Sequence, residues 1–572
     1  MQRTHTCGDL NLTNLDQPVI LQGWVKKIRK MGGLTFVDLR DIYGVIQLKI
    51  SNSEATKLHP EDVIQVSGIV AKRPQANLQL ATGEIEVLVD QVKIISHSQT
   101  LPFPIENDIT TTEETRLKYR YLDLRRPNMQ NNLIFRSRLN AAIRDFFKIQ
   151  NFLEVETPYL AKATPEGARD FLVPARLNKN KFYALPQSPQ LFKQLLMIAG
   201  VDRYYQIVRC FRDEDLRLDR QLEFTQLDLE MAFATNEDVM FLVDQLTAHL
   251  FKDLLNETIA LPIPRLTYQE AMESYGSDKP DLRFGIKIQN VTTLLKNTEV
   301  KFFQNLGHEV IRGIAIDQLL TKKQLAQIEE IGKHNHLKNL AIAKITSGEW
   351  SGSLASQLST TEKTALLQKF GLENQGTILL TRGKNASLSQ ALGAMRLEIS
   401  KIFSLANPQV HKLVWIVDFP LFEWSDEEGR YQAAHHPFTM PRADYQTNFH
   451  IKKAEAIASA YDLVLNGFEI GGGSQRIADP EMQKLMFEAI GLTPEQAEKN
   501  FGWFLEAYHY GAPYHAGLAL GLDRIAMILT ENTSIREVIA FPKNASGIDP
   551  MSEAPGTVSQ AQLNELHLKL DK

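Results

Sequence analysis

The chain has 572 residues, 43% of them hydrophobic and 23% charged, with a formal net charge of −5. That length allows about three or four domains of roughly 100–200 residues, and the composition is that of an ordinary globular protein. Two cysteines, Cys7 and Cys210, are too few for a disulfide framework or a cysteine-type zinc site. The first residues carry no apolar run like that of a signal peptide, and no stretch reaches transmembrane length. A cytoplasmic protein with no membrane partner is therefore expected. Slight overall acidity does not exclude nucleic acid, because a local basic patch suffices, and Lys26-Lys27-Ile28-Arg29-Lys30 is one.

In chain order, β-rich runs at 19–25, 34–41, 43–50, 62–70 and 84–89, with a helix-length gap at 53–59, predict a Greek-key barrel of OB type within residues 1–105. Basic and aromatic residues share these strands, as in single-strand nucleic-acid binders; a barrel that only packs is the alternative. Residues 106–130 read as a hinge, preceded by Leu101-Pro102-Phe103-Pro104 and closed by Arg125-Arg126-Pro127. A helix is predicted over 131–150, with Leu133, Ile134, Leu139, Ile143, Phe146 and Phe147 on one face. A strand over 152–160 follows, interrupted by Pro158 as suits an edge.

The runs 204–212 and 224–231 flank a charged loop and predict an antiparallel hairpin. It would gather Arg212, Gln226, Asp228 and Glu230. Residues 278–400 break this pattern with a helix at 322–333 and strands at 340–345 and 377–380, an inserted α+β domain. The main fold, begun at 131–277, resumes with a strand at 413–417 and runs through 401–540. Residues 541–572 form a C-terminal extension.

Two arginines stand in dense local patterns without a Gly-rich phosphate loop: Arg212 in Phe211-Arg212-Asp213-Glu214, and Arg524 at the end of the stretch from Gly517 through Gly521-Leu522-Asp523. A guanidinium stays charged and grips oxyanions bidentately, so this pair suggests a triphosphate clamp. With Glu223-Phe224-Thr225-Gln226-Leu227-Asp228, the first pattern resembles motif 2 of the class II aminoacyl-tRNA synthetases. The second resembles motif 3, and the segment around Pro158 resembles motif 1. Gln187-Ser188-Pro189-Gln190-Leu191-Phe192-Lys193-Gln194, Thr164-Pro165-Glu166-Gly167, His435-His436-Pro437-Phe438 and Gly471-Gly472-Gly473-Ser474-Gln475-Arg476 narrow the resemblance to the bacterial-type aspartyl-tRNA synthetases of the aspartate/asparagine/lysine subgroup. It covers essentially the whole chain.

The resemblance implies a multidomain fold: an OB-fold anticodon-binding barrel, a class II α+β catalytic domain on an antiparallel sheet, and the inserted α+β domain. It implies a homodimer and a two-step reaction using ATP, L-aspartate and tRNA-Asp, with Mg2+ accompanying ATP. Arg212 and Arg524 are the expected catalytic cations, on the α-phosphate and γ-phosphate respectively. The ATP-site set is Arg212, Asp213, Glu214, Gln221, Phe224, Glu469, Gly521, Leu522, Asp523 and Arg524, with Phe224 stacking on adenine and Glu214 reading its amine. Asp462 and Glu469 are the expected metal ligands, and hard carboxylate oxygens suit magnesium.

For aspartate, Lys193 and Arg476 are the expected cations, with His435 near them. Glu166, Ser188, Gln190 and Asp228 are the ammonium and loop contacts, and Arg212 meets the α-carboxylate. Arg29, Phe36 and Gln47 match the anticodon contacts, though Phe36 has a bland alternative in core packing. Cys210 reads as a small buried hydrophobe, and His435-His436 lacks a third ligand at metal spacing. An asparaginyl enzyme, an asparagine synthetase on this fold, and a catalytically dead RNA-binding paralogue are the competing readings. Enzymes of this kind that charge both tRNA-Asp and tRNA-Asn are expected to carry a histidine before Gly32-Gly33. This chain has Met31 there, while the glycine pair itself fits that type.

Overall fold

A computed structural model describes residues 3–164 and 168–571; Glu166, with Pro165 and Gly167, lies outside the described residues. The chain divides into two compact units, 1–130 and 131–572. Among the described residues no helix is long and apolar enough to cross a membrane.

In the first unit, β1 (Pro18–Met31), β2 (Leu34–Arg40), β3 (Val45–Ser51), β4 (Val63–Lys72) and β5 (Ile85–Ser96) close a barrel in the order β1-β2-β3-β5-β4. Alternation drives this closure. Val19, Leu21, Val37, Leu39, Ile46, Leu48, Ile64, Val66, Ile85 and Val87 all point into one core. The helix expected in the gap is one short turn, Asn52–Ala55. β3 and β5 pair in parallel, and all other barrel pairs are antiparallel.

The second unit begins in α1 (Pro127–Ile149), which starts earlier than the apolar pattern suggests because Pro127 suits the first turn of a helix. Leu139, Ile143, Phe146 and Phe147 are buried as predicted, but Ile134 is exposed. The strand expected over 152–160 is only β6 (Leu153–Glu154), paired in parallel with the strand Arg203–Phe211. Pro158 has no N–H to offer a ladder, which agrees with the early stop. A small hairpin, β7 (Phe171–Pro174) and β8 (Phe182–Leu185), precedes α2 (Gln190–Ile198).

β9 (Arg203–Phe211) and β10 (Glu223–Ala232) form the predicted hairpin, with Asp228 opposite Gln206. α3 (Asn236–Leu255) and β11 (Arg265–Thr267) follow. A separate sheet in the order β12-β13-β16-β14-β15 then takes β12 (Gln289–Asn290), β13 (Val310–Ile316), β14 (Ala341–Thr346), β15 (Glu349–Ser351) and β16 (Gly376–Gly383). Helices α4 (Lys322–His334), α5 (Thr360–Phe370) and α6 (Asn385–Ile402) belong to the same stretch. The main sheet resumes with β17 (Leu413–Val417). It continues, after a hairpin of β18 (Phe422–Ser425) and β19 (Arg430–Ala433), through β20 (Ala460–Leu465), β21 (Phe468–Gln475) and β22 (His515–Gly521). α7 (Leu522–Leu529) leaves directly from β22.

The main sheet has eight strands in the order β11-β17-β20-β21-β22-β10-β9-β6, antiparallel except at its two edge pairs. Its two faces have opposite chemistry because side chains alternate along each strand. Leu227, Leu229, Leu463, Leu518 and Leu520 join the core with Phe147 of α1 and Val243 and Leu246 of α3. The alternate residues of β10, namely Phe224, Gln226, Asp228 and Glu230, take the other face.

Packing on that polar face demands one glycine in particular. A Cβ on Gly517 would overlap the Glu230 carboxylate and the Leu229 carbonyl, neither of which can yield easily. Gly517→Ala should therefore destabilise the second unit by about 1–3 kcal/mol, as overpacking does. A lowered denaturant midpoint for that unit would register it.

Candidate active site

The sheet register decides which side chains meet. Asp228 on β10 lies opposite Ala519 on β22, Ala519 opposite Gly472 on β21, and Gly472 opposite Asp462 on β20. The next row runs Glu230, Gly517, Ser474, Ala460. A cavity of about 520 Å³ is lined by this face and by residues of the surrounding loops. Of the residues singled out in the sequence, Ser188, Gln190, Lys193, Arg212, Glu214, Gln221, Phe224, Asp228, His435, Asp462, Glu469, Arg476, Gly521, Asp523 and Arg524 line it.

Four charges sit at one end, and none is more than 1% exposed: Lys193, Asp228, Glu230 and Arg476. Lys193 Nζ donates to Asp228 Oδ1 at 2.7 Å and lies 3.3 Å from Glu230 Oε2. Arg476 donates from Nε and Nη2 to the two oxygens of Glu230 at 2.9 and 3.2 Å. Its Nη1 donates to Ser474 Oγ and His436 Nε2, both at 2.6 Å. Two cations against two carboxylates make this cluster neutral, the condition for burying it at tolerable cost. Of the five guanidinium N–H groups, these bonds use four, so one Nη2 hydrogen remains. Asp228 Oδ2 and Gln190 Nε2 are buried with no partner among the described residues. A buried polar atom left open in this way is expected where a ligand completes the bonding.

An arginine can only donate, so His436 accepts at Nε2, and the Phe438 backbone N–H points at its Nδ1 from 3.2 Å. Burial, with Arg476, His435 and Lys193 nearby, pushes the His436 pKa well below the ordinary value. The adjacent histidine has the opposite setting. His435 Nε2 lies 3.6 Å from Asp462 Oδ1. Burial alone would lower its pKa, but Asp462, Glu469 and Glu423 outweigh that and raise it. The histidine bonded to Arg476 is thus His436, while His435, the one expected beside Lys193 and Arg476, faces the acidic wall.

That wall comprises Asp462, Glu469 and Asp278. Burial and then the charges of Glu469 and Asp278 raise the Asp462 pKa, although His435 opposes them. Gly472 leaves the Asp462 carboxylate its place, since a Cβ there would overlap Oδ1. Crowded carboxylates whose repulsion a cation would relieve are a donor set that fits a hard divalent ion. Lys279 Nζ approaches Glu469 at 3.7 Å.

Arg524, at the start of α7, donates to the Glu469 carbonyl and pairs with Asp219 at 3.1 Å. The Arg212 guanidinium lies 5.1 Å from the Phe224 ring centroid, and its Nε has no partner among the described residues. Glu214 is paired with Arg220 at 3.2 Å. Four expected ATP-site positions have other local commitments. The Asp523 carboxylate accepts from Thr225 N at 2.8 Å and from Arg136, so it braces β10 against α1 and α7. Gln221 both donates to and accepts from the Lys543 backbone, at 3.0 and 2.8 Å. Leu522 is fully buried in the core. Asp213 lies outside the cavity lining, 3.8 Å from Arg169 Nε. Cys210 is a buried free thiol whose pKa burial pushes up, which makes it inert.

Sequence reasoning did not single out His436, Glu230, Ser474, Asp219 or Asp278 as site residues. Alternation along β10 had already placed Glu230 beside Asp228 without giving it a role, and Ser474 follows from strand pairing; His436, Asp219 and Asp278 depend on loop paths that no periodicity encodes.

In the barrel, Arg29, Phe36 and Lys49 are in register across β1, β2 and β3. Phe36 is half-buried, not a core residue. Arg29 grips both oxygens of Asp38 at 2.6 Å and reaches Gln47 Oε1 at 3.2 Å. Gln47 is buried, accepts also from Arg73 at 2.9 Å, and donates to Glu86 at 2.7 Å. The face therefore presents a ring and a pre-set guanidinium, with Gln47 holding that guanidinium in place.

The His436 shift has a definite sign. Its folded pKa is depressed, so the unfolded chain takes up a proton near pH 6.5 that the folded chain refuses. Stability from this group is complete above about pH 6.5 and is lost as pH falls toward the folded value. Stability should then decline with a slope of at most about 1.4 kcal/mol per pH unit, and His436→Gln, which keeps an acceptor for Arg476, should remove that part. Denaturant midpoints of both proteins from pH 7.5 to 5.5, with identical slopes, would show the group does not titrate this way.

Comparison with known proteins gives the same grouping. The family model described as tRNA synthetases class II (D, K and N) matches residues 112–545, and that of the OB-fold nucleic acid binding domain matches residues 19–95. The chain is 58% identical to an aspartate–tRNA ligase of Mycoplasma mycoides subsp. mycoides, over all of both chains. It is 47% identical to an aspartate–tRNA(Asp/Asn) ligase of Caldanaerobacter subterraneus subsp. tengcongensis, covering 100% of this chain and 99% of that one. The fold is similar to asparaginyl-tRNA synthetase from Pyrococcus horikoshii complexed with asparaginyl-adenylate, with a TM-score of 0.60 at 19% identity, covering 95% of this chain and 98% of that one. An antiparallel sheet carrying a charged cavity, an OB barrel and matches spanning nearly the whole chain agree: the protein belongs to the class II tRNA synthetases of the D, K and N group.

Proposed function

We propose that the chain is an ATP-dependent aspartate–tRNA ligase acting on L-aspartate, ATP and tRNA-Asp. The buried cluster of Lys193, Asp228, Glu230 and Arg476 carries this reading. An aspartate side-chain carboxylate meets the spare Arg476 Nη2 hydrogen and the Lys193 ammonium. The substrate ammonium meets the open Asp228 Oδ2, with Ser188 and Gln190 beside it, and Glu166 is the further contact implied by the family resemblance. Asparagine would turn an amide NH2 toward a fixed donor, and an unmatched buried donor costs about 1–3 kcal/mol.

In the first step an oxygen of the substrate α-carboxylate attacks the α-phosphorus of ATP, and the bond to the pyrophosphate oxygen breaks. Arg212 is aimed at the α-phosphate and carboxylate, where charge accumulates. Arg524 holds the γ-phosphate, Phe224 stacks under adenine, and Glu214 accepts from its amine. Positioning and charge stabilisation are the protein's whole contribution to such a transfer. Asp462 and Glu469 would hold Mg2+, which supplies positive charge to the phosphates when bound. Asp523 and Gln221 serve this site by bracing β10 and residue 543, and Leu522, Gly521 and Asp213 by the backbone they set. In the second step the 3′-terminal ribose hydroxyl of the tRNA attacks the aspartyl carbonyl, and AMP leaves.

The barrel face of Phe36 and Arg29, with Gln47 behind, would read the anticodon by stacking and hydrogen bonding. We assign residues 1–105 to this domain, 106–130 to a hinge, 131–277 and 401–540 to the catalytic domain, 278–400 to the insertion and 541–572 to an extension. A second copy of the chain is the expected partner, supported by exposed Leu153, Tyr159 and Leu160 in the motif 1 segment. A cytoplasmic setting goes with these substrates. Charging of tRNA-Asn as well is favoured by the Gly32-Gly33 tip and disfavoured by Met31; parallel charging of the two transcripts separates these.

Arg212→Ala should reduce aspartate-dependent pyrophosphate exchange at least about 100-fold, the loss of roughly 3 kcal/mol seen when a fixed charge-stabilising donor is removed. Near-normal exchange would overturn the assignment. Phe36→Ala should leave that exchange intact and weaken tRNA charging, raising the KM for tRNA by about tenfold, since base–aromatic stacking is worth about 1–3 kcal/mol. Equal loss of both activities would place Phe36 in the fold instead.

A further inference from the structure

The barrel contains a second cluster of metal-ligating side chains, unrelated to nucleotide chemistry. β4 and β5 pair so that Val63 lies opposite Ser96, which makes Asp62 and His97 the next residues at the open end of that ladder. His59 comes three residues before Asp62, in a turn closed by Asp62 N donating to the His59 carbonyl at 3.2 Å. Ligating atoms of His59, Asp62 and His97 all lie within 4.8 Å of one another.

We propose that His59, Asp62 and His97 form a binding site for a divalent transition metal ion of the zinc type. Asp62 Oδ2 lies 3.2 Å from His97 Nδ1 and 3.6 Å from His59 Nδ1. A tetrahedral ion with bonds of about 2.0–2.1 Å separates its ligand atoms by roughly 3.3–3.4 Å. The two measured separations straddle that value. Hydrogen bonding alone accounts for only one ring, because 3.6 Å is too long for the His59 contact. Both imidazoles nevertheless approach the same oxygen, with ring centroids 5.8 Å apart and planes inclined by 68°.

The carboxylate is prepared for such a role. Asp62 is fully buried, and its Oδ1 accepts from Ser98 N while its Oδ2 accepts from His59 N, each at 2.8 Å. These backbone bonds fix its orientation, as supporting bonds around metal ligands do. They keep it ionised against the effect of burial. Each oxygen retains one acceptor direction. The two imidazole rings are more than half exposed, so water can complete the coordination.

Donor chemistry selects the ion. Two imidazole nitrogens and one carboxylate suit Zn2+, Co2+, Ni2+ or Cu2+, whereas Mg2+ and Ca2+ prefer all-oxygen sets such as Asp462 with Glu469. A bound ion would tie the turn before β4 to the point where the chain leaves β5, clamping one end of the barrel.

The test uses the full chain, stripped with chelator and titrated with Zn2+ by calorimetry under excess Mg2+, which occupies the oxygen-rich site. Wild type should bind one more equivalent of zinc than His59→Ala/His97→Ala. Each of the single variants His59→Gln and His97→Gln should weaken that equivalent at least about tenfold. Co2+ added in place of zinc should give visible absorption bands in wild type that the double variant lacks. An unchanged circular-dichroism spectrum and an unchanged KM for tRNA in the metal-free variants would show that the barrel is intact. Equal zinc stoichiometry and affinity in wild type and double variant would overturn the proposal.

Discussion

The second unit depends on one buried electrostatic arrangement: Lys193 and Arg476 locked against Asp228 and Glu230 on the polar face of the sheet. Taking four charges out of water is tolerable only if each is met by an opposite charge and by further hydrogen bonds. Neighbouring features follow from that requirement. Gly517 lacks a side chain so that Glu230 can lie over β22, Ser474 supplies a hydroxyl to Arg476, and His436 stays neutral to accept from it. Its members come from β10, from α2 and from the residue just after β21, and these elements are anchored in apolar cores.

Anchoring of this kind serves recognition. A cluster already neutral in itself gains little from any added ion unless specific donors and acceptors remain open. Here they are one hydrogen of Arg476 and one oxygen of Asp228, fixed before any ligand arrives. The other end of the cavity works on a different principle, since burial and the charges of Glu469 and Asp278 disfavour the ionised form of Asp462. One cavity thus holds a charge-balanced end and an unbalanced, acidic end. His435 and His436, adjacent in the chain, mark the division, and their pKa values are driven in opposite directions.

The barrel shows the same use of pre-set polar groups. Arg29 does not wait as a free cation, because Asp38 holds it bidentately and Gln47 steadies its other edge. Its remaining hydrogen-bond capacity is thereby given a direction beside the Phe36 ring. At the end of the β4–β5 ladder, Asp62 is likewise oriented by backbone N–H groups toward two imidazoles.

Local pattern alone was enough for the strands of the barrel, the β9–β10 hairpin, most of α1, and β14 and β16, two of the insertion's five strands. Alternation and helical periodicity are properties of neighbouring residues, so a linear reading captures them. Alternation also put Asp228 and Glu230 on one face, and the motifs named Lys193, Arg212, Arg476 and Arg524. Only the tertiary structure decided which of those groups meet, because the partners are far apart in the chain. Arg476 and Glu230 are separated by 246 residues, and Asp523 and Thr225 by 298. It set His436 rather than His435 against Arg476, gave Asp523 and Gln221 to bracing contacts, and brought His97 beside Asp62. Such outcomes rest on sheet order and loop paths, which the global packing of the core determines and no local period records.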